Sequence, residues 1–167
     1  ITIGTGFGSA FLDDRIPVVE GEKVPRMGCV YHLPFGSGIA DDYFSTRWYT
    51  SRYNEVTGKT AEGVREVAVA AGKDPEVKAI FDEFGMNLGR FLAPWLTKFG
   101  AGILVMGGNI SHAWDLFGPA YEEELKAAGC SVVTAISELK EDAALSGSAY
   151  LHDEQFWKEV QPALALM

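Results

Sequence analysis

Three glycines within five positions, met directly after an apolar triplet, settle what the start of this chain can be. Ile1-Thr2-Ile3 reads as a strand, and Gly4-Thr5-Gly6-Phe7-Gly8 follows at once. Glycine lacks Cβ and takes positive φ freely, so such a run turns sharply and lets successive N–H groups converge on an anion, while Thr5 adds a hydroxyl. Two readings are open: a phosphate-binding loop or a tight hairpin turn. The run lacks the lysine of a P-loop and is not the full dinucleotide fingerprint.

A second junction of the same kind lies far downstream. Ile103-Leu104-Val105-Met106 is a short continuous apolar run, read as a buried strand; Gly107-Gly108-Asn109 interrupts it before a helix beginning near Ser111. Open α/β sheets bind ligands at the carboxyl ends of their strands. Two glycine junctions at such ends could share one nucleotide, its phosphates on the first and its nucleoside against the second. The bland alternative is two ordinary turns.

Between them, Ser9 to Leu12 and Ile16 to Val19 flank Asp13-Asp14-Arg15 as a hairpin, with Pro17 placing the return strand near an edge. Residues 20–38 are rich in Gly and Pro without a sustained period and read as loop. A helix is expected from about Asp41 to Val56, its acidic first turn suited to the helix dipole. Thr60 is expected to cap a short Ala-rich helix that stops at Gly72. Asp74 and Pro75 then give an N-cap and first-turn start, and Val77, Ile80, Phe81, Phe84, Leu88, Phe91, Leu92 and Trp95 recur at helical spacing. One helical face accounts for this aromatic stripe, which makes it core.

After the second junction, a helix carries Ala113, Leu116, Phe117, Tyr121 and Leu125 to Gly129, with Pro119 bending it. Ser131 to Ile136 reads as a further strand, and Ala143 to Leu151 starts the last helix. The order predicts an α/β domain with a mixed sheet flanked by helices.

The chain has 167 residues, 47% hydrophobic and 22% charged, enough for one domain with a core. With 14 basic against 23 acidic side chains the formal charge is −9, which disfavours nucleic acid as a partner of this domain. A loop of oriented amides can still bind a small phosphorylated ligand locally. Cys29 and Cys130 stand far apart without a pairing pattern, so a reducing, cytoplasmic location is expected. No apolar run approaches the roughly 20 residues of a membrane span. The start within a strand, without an initiator methionine, is read as the later part of a longer chain.

Taken together, Ile-Thr-Ile-Gly-Thr-Gly-Phe-Gly (1–8), Val-Met-Gly-Gly-Asn-Ile-Ser (105–111) and Ala-Ala-Leu-Ser-Gly-Ser-Ala (143–149) resemble the second phosphate loop, adenosine motif and final helix of the ROK family of sugar kinases, repressors and open reading frames. The resemblance spans nearly the whole chain. It implies an actin-like ATPase fold, with two ribonuclease-H-like domains and a cleft holding ATP and sugar; residues 1–167 would be the C-terminal nucleotide-binding domain. The general base that activates the sugar hydroxyl, and the first phosphate loop, would lie in the missing N-terminal domain. No catalytic residue is therefore assigned here. Thr5, Gly6 and Gly8 are implied to serve the phosphates of ATP, and Gly107, Gly108 and Asn109 the adenosine, with Mg²⁺ bridging nucleotide oxygens.

The departures from the family pattern bear on the sugar. Its Gly-Glu-x-Gly-His element aligns with Gly28-Cys29-Val30-Tyr31-His32, so Cys29 replaces a sugar-binding glutamate and Tyr31 a glycine. His32 matches a histidine that reaches zinc and sugar in many members, but the accompanying cysteines are absent between Leu33 and Ala40. No structural zinc is expected, because a tetrahedral site needs about four ligands. Asp41 matches a later glutamate that contacts sugar, so His32 and Asp41 are the candidate sugar residues; the alternative for His32 is an ordinary surface or hydrogen-bonding histidine, and for Asp41 that it and Asp42 only favour the start of their helix. His112 and His152 read as surface or cap residues, and Ser45, Ser111 and Ser146 lack the partners of a nucleophilic triad.

The resemblance implies one half of an ATP-dependent sugar kinase, inactive alone because its base is elsewhere. The alternatives are the effector half of a sugar-responsive repressor and a relative that binds a sugar or metabolite without chemistry. Homo-oligomers are implied as well, for which Trp48, Tyr49 and Tyr53 are candidate contacts unless they are buried within the domain.

Overall fold

The computed structural model describes residues 1–139 and 142–166. Strands β1 (Thr2–Ile3) and β2 (Phe7–Gly8) pair antiparallel, Thr2 opposite Gly8 and Ile3 opposite Phe7, so the first glycine run closes a hairpin. A second hairpin joins β3 (Leu12–Asp13) to β4 (Ile16–Pro17). Its turn residues Asp14 and Arg15 both have positive φ, 45° and 71°, as a two-residue hairpin turn demands. The strands are shorter than expected; beyond them the Val18 N–H extends the pairing by donating to the Phe11 carbonyl at 2.8 Å.

Within the segment read as loop, a 3-10 turn at Arg26–Gly28 precedes a small hairpin of β5 (Pro34–Phe35) and β6 (Gly38–Ile39). Strands this short carry no readable alternation, which is why the sequence reads as loop there. The helix expected over residues 41–56 is broken in two, α1 (Ala40–Tyr43) and α2 (Thr46–Thr57). The break falls at Phe44 and Ser45, both fully buried. Phe44 turns into an aromatic cluster, with ring centroids 5.2 Å from Phe7, 5.8 Å from Phe84 and 5.3 Å from Phe91. Aromatic packing of this kind outweighs the weak propensity that would continue the helix.

Helix α3 (Val64–Ala71) begins after Gly63, so Thr60 does not cap it. Helix α4 (Pro75–Phe99) starts as the sequence predicts, Asp74 accepting the Glu76 N–H at 2.9 Å. It runs past Trp95 through Pro94 and stops at Gly100, which is left-handed (φ 79°). Strand β7 (Ile103–Met106) leads through a 3-10 turn at Asn109–Ala113 into α5 (Trp114–Ala127). Strand β8 (Val133–Ile136) runs parallel to β7, Ile103 opposite Val133 and Met106 opposite Ile136. Helices α6 (Asp142–Tyr150) and α7 (Glu154–Leu164) close the chain. The sequence reading did not separate α7, although Asp153 caps it by accepting the Phe156 N–H at 2.8 Å.

Strand β1 joins the other edge of β7. The Ile3 N–H donates to the Gly107 carbonyl at 2.9 Å and the Gly107 N–H to the Ile1 carbonyl at 2.8 Å, a parallel bridge centred on Thr2 and Gly107. The ladder β2-β1-β7-β8 is therefore mixed, as expected. Leu104 and Met106 face inward with α4 and α5; Ile103, Val105 and Val133 stand exposed on the opposite face. The core centres on Phe81, Phe84 and Leu88 of α4, Phe117 and Tyr121 of α5, and Tyr49 of α2, all fully buried. Tyr49 is thus no surface contact, and Trp48 and Tyr53 are half-buried against the same core. Among the described residues no helix is long and apolar enough to cross a membrane.

Candidate functional site

The two glycine junctions are neighbours. Because β1 and β7 run parallel and adjacent, the chain leaves both strands at the same end of the sheet, and Gly108 packs directly on the backbone of Ile3. A β-carbon on Gly4 would lie 3.8 Å from the Asn109 nitrogen, which measures how closely the two turns approach.

The first turn closes a hairpin and keeps spare donors. Gly4 donates its N–H to the Gly6 carbonyl at 3.0 Å, whereas the amides of Thr5 and Gly6 meet no protein acceptor among the described residues. Thr5 is exposed and Gly6 half-buried, so these two N–H groups can meet a ligand at the surface. The carbonyl of Gly4 is held from behind, by the Thr46 N–H at 2.7 Å and the Thr46 hydroxyl at 3.0 Å. Gly8 lies outside the turn, on β2 against the side chain of Thr2.

At the second junction the residues divide. Gly107 spends both backbone groups on β1, which leaves it a strand residue. Gly108 has φ 85°, and its carbonyl accepts from the Ser111 N–H at 3.1 Å and the Ser111 hydroxyl at 2.7 Å. That pair of bonds closes the 3-10 turn and lets the exposed Asn109 stand at the start of it. Buried Ser111 is thereby a turn residue.

Of the candidate sugar residues, Asp41 lies beside the first turn, and His32 is held next to the start of its helix. Tyr31 and Leu33 offer their carbonyls to the N–H groups of Asp41 (3.0 Å) and Ala40 (2.9 Å), so His32 is fixed alongside the start of α1. Its Nδ1 lies 3.8 Å from the Sγ of Cys29, whose buried thiol is pushed above its ordinary pKa by desolvation. That thiol stays protonated and neutral near pH 7. The two aspartates have separate tasks. Asp42 accepts the Ile39 N–H at 3.1 Å and pairs with Arg47 at 3.2 Å, which is the helix-start role. Asp41 instead reaches out of its helix: its Oδ1 accepts the Phe7 N–H at 2.7 Å, and its Oδ2 lies 3.7 Å from Arg47.

The sequence reading missed Thr46 and the Phe7 amide as parts of this site. Each acts across the fold, and only the Ser-Thr pair after Phe44 hinted at a turn there. Among the described residues no group of three or more His, Cys, Asp or Glu side chains is placed to hold a metal ion.

The sequence matches no protein-family model and no curated protein. Solved structures do match. A glucokinase from Parabacteroides distasonis superposes with a TM-score of 0.76 at 20% identity, over 90% of this chain and 56% of its own. A ROK family glucokinase from Streptomyces griseus, in complex with glucose and AMPPNP, gives 0.72 at 18%, over 90% and 58%. A ROK family transcriptional regulator, a homologue of the E. coli MLC protein, gives 0.66 at 14%, over 81% and 40%. The chain thus has an α/β fold found in ROK sugar kinases and in a ROK regulator, and it spans little more than half the length of those kinases.

Proposed function

We propose that residues 1–167 form the C-terminal, ribonuclease-H-like nucleotide-binding domain of a ROK-type, ATP-dependent sugar kinase, which transfers the γ-phosphoryl group of ATP to a sugar hydroxyl. The observation that carries this is the adjacency of the two glycine turns, one of them with two amides that meet no acceptor among the described residues. Phosphates suit the N–H groups of Thr5 and Gly6, since oriented amides stabilise anions without a counter-charge. The nucleoside suits Gly108 and Asn109. Gly8 and Gly107 keep the approach of the strands close and contribute to the site through shape.

The donor set fits a nucleotide, and ATP with Mg²⁺ would supply the transferable phosphoryl group and the charge neutralisation. What this chain's residues do is position: Thr46 and Asp41 hold the first turn, Ser111 holds the second. The sugar would lie toward His32. Because no general base is assigned to these residues, the isolated chain is expected to bind nucleotide and to transfer phosphate poorly. The proposed setting is cytoplasmic, in a homo-oligomer.

A second reading, a ROK-type effector domain or a binder without chemistry, is favoured by the neutral Cys29 thiol where a sugar-binding carboxylate is expected. Titration of the isotope-labelled chain with AMPPNP and with glucose separates these. The kinase reading expects AMPPNP to shift the amides of Thr5, Gly6 and Asn109. Shifts with glucose alone would favour the effector reading, and silence toward AMPPNP would remove the kinase.

A further inference from the structure

We infer that Asp41 is a positioning residue that fixes the phosphate turn, and that it is not a sugar ligand. This deepens the nucleotide reading and rests on it for its functional consequence. The carboxylate spans from α1 to β2, 34 positions away in sequence, to accept the Phe7 N–H at 2.7 Å. It also fills the space beside Gly6, where a β-carbon would lie 2.9 Å from Oδ1. A side chain at position 6 would therefore have to displace the Asp41 carboxylate.

The consequence is a division of labour among the turn's donors. Phe7 is removed from the set that can meet an anion, Gly4 is spent on Gly6, and Thr5 and Gly6 remain outward. With the Gly4 carbonyl tied to Thr46, the turn is held from both ends by the two short segments around the α1–α2 break. Arg47, near both aspartates, offsets the negative charge that would otherwise face an incoming phosphate. The segment carrying the candidate sugar residue His32 is bonded through Tyr31 to the backbone of Asp41 itself. Asp41 is thus the link between the two halves of the site.

Amide exchange and AMPPNP titration test this on the 167-residue chain. In the unaltered chain the Phe7 amide should exchange about tenfold more slowly than those of Thr5 and Gly6; equal exchange overturns the inference with no variant needed. Asp41→Ala should speed Phe7 exchange by about tenfold and weaken AMPPNP by a similar factor, while Asp41→Asn, which keeps the acceptor oxygen, stays within about threefold of the parent. Gly6→Ala should displace the carboxylate and reproduce Asp41→Ala. An Asp41→Asn chain that keeps Phe7 protected but loses the shifts glucose induces would make Asp41 a sugar ligand and overturn the proposal. If the parent chain ignores AMPPNP, the nucleotide reading falls, and Phe7 exchange still decides whether Asp41 holds the turn.

Discussion

Gly108 rests against Ile3 with no room for a side chain: a β-carbon there would lie 2.8 Å from the Ile3 nitrogen and overlap the Ile3 carbonyl. This contact is where the two glycine junctions meet, so it couples the geometry of the site to the pairing of β1 with β7. Any outward shift of Gly108 would pull on the Ile3 to Gly107 bond.

Two Gly→Ala substitutions separate backbone strain from collision. Gly100 has φ 79° and, among the described residues, nothing within 4 Å of a β-carbon, so Gly100→Ala should cost about 1 kcal/mol for the left-handed conformation alone. Gly108→Ala adds the overlap with Ile3 at φ 85° and should cost about 3 kcal/mol or more. Urea unfolding of both variants checks the ranking; equal losses would mean that the close approach of β1 to this turn is wrong.

Helix α4 meets α5 through glycine, which gives a second contrast. A β-carbon on Gly85 would overlap the Phe117 carbonyl and stand 3.0 Å from the Tyr121 nitrogen, and one on Gly89 would stand 2.9 Å from the Tyr121 carbonyl. Gly85→Ala should destabilise by about 2–3 kcal/mol, as forced overpacking does. Gly72 has a right-handed backbone (φ −66°) with only an ordinary 3.6 Å contact to the Val69 carbonyl, so Gly72→Ala should stabilise by about 0.5 kcal/mol. Thermal melts of the pair should therefore move in opposite directions.

What the sequence made legible follows from the range of each interaction. Asp74-Pro75 and the apolar period after it act within one helix, and α4 appears where they place it. The glycine junctions are equally local, and both stand at strand ends. The α1–α2 break was illegible because its cause, the seat of Phe44 among Phe7, Phe84 and Phe91, is assembled from distant segments. Asp41 shows the same limit in the site: its position in the chain suggests either a helix start or a sugar contact, and nothing local announces that its carboxylate also accepts the Phe7 amide, 34 positions earlier. Gly85 and Gly89 were hidden inside an apolar stripe that explains itself without them.

The ion pair between α2 and α4 should matter little. Arg52 Nε lies 2.9 Å from Glu83 Oε2 and its Nη1 3.0 Å from Glu55, but both Arg52 and Glu83 side chains keep more than a third of their surface, 37% and 38%. Pairs this exposed are screened and typically contribute about 0.2–1 kcal/mol. Arg52→Ala should lower stability by no more than about 1 kcal/mol, with most of the difference gone in molar salt; a loss of several kcal/mol would show that the pair is far more enclosed than its exposure implies.

Alkaline unfolding should be driven by two phenols. Burial raises Tyr49 well above the ordinary tyrosine value and pushes Tyr121 up to about 12, whereas hydrogen bonds from Ser37 lower that of the Tyr43 phenol. A phenol whose pKa is raised by folding stays protonated in the native chain while the unfolded chain has already released its proton, so stability falls as pH climbs above about 10, and it falls further toward 12. Below pH 10 these groups contribute no pH dependence. Tyrosinate absorbance followed together with helical circular dichroism should show an early phase without unfolding, then a second phase coincident with loss of helix. Tyr49→Phe should weaken that second phase and raise stability at neutral pH by about 1 kcal/mol, because the Tyr49 hydroxyl is buried with no hydrogen-bond partner among the described residues. Complete ionisation of the tyrosines with the helices intact would contradict the central position of Tyr49 and Tyr121 in this core.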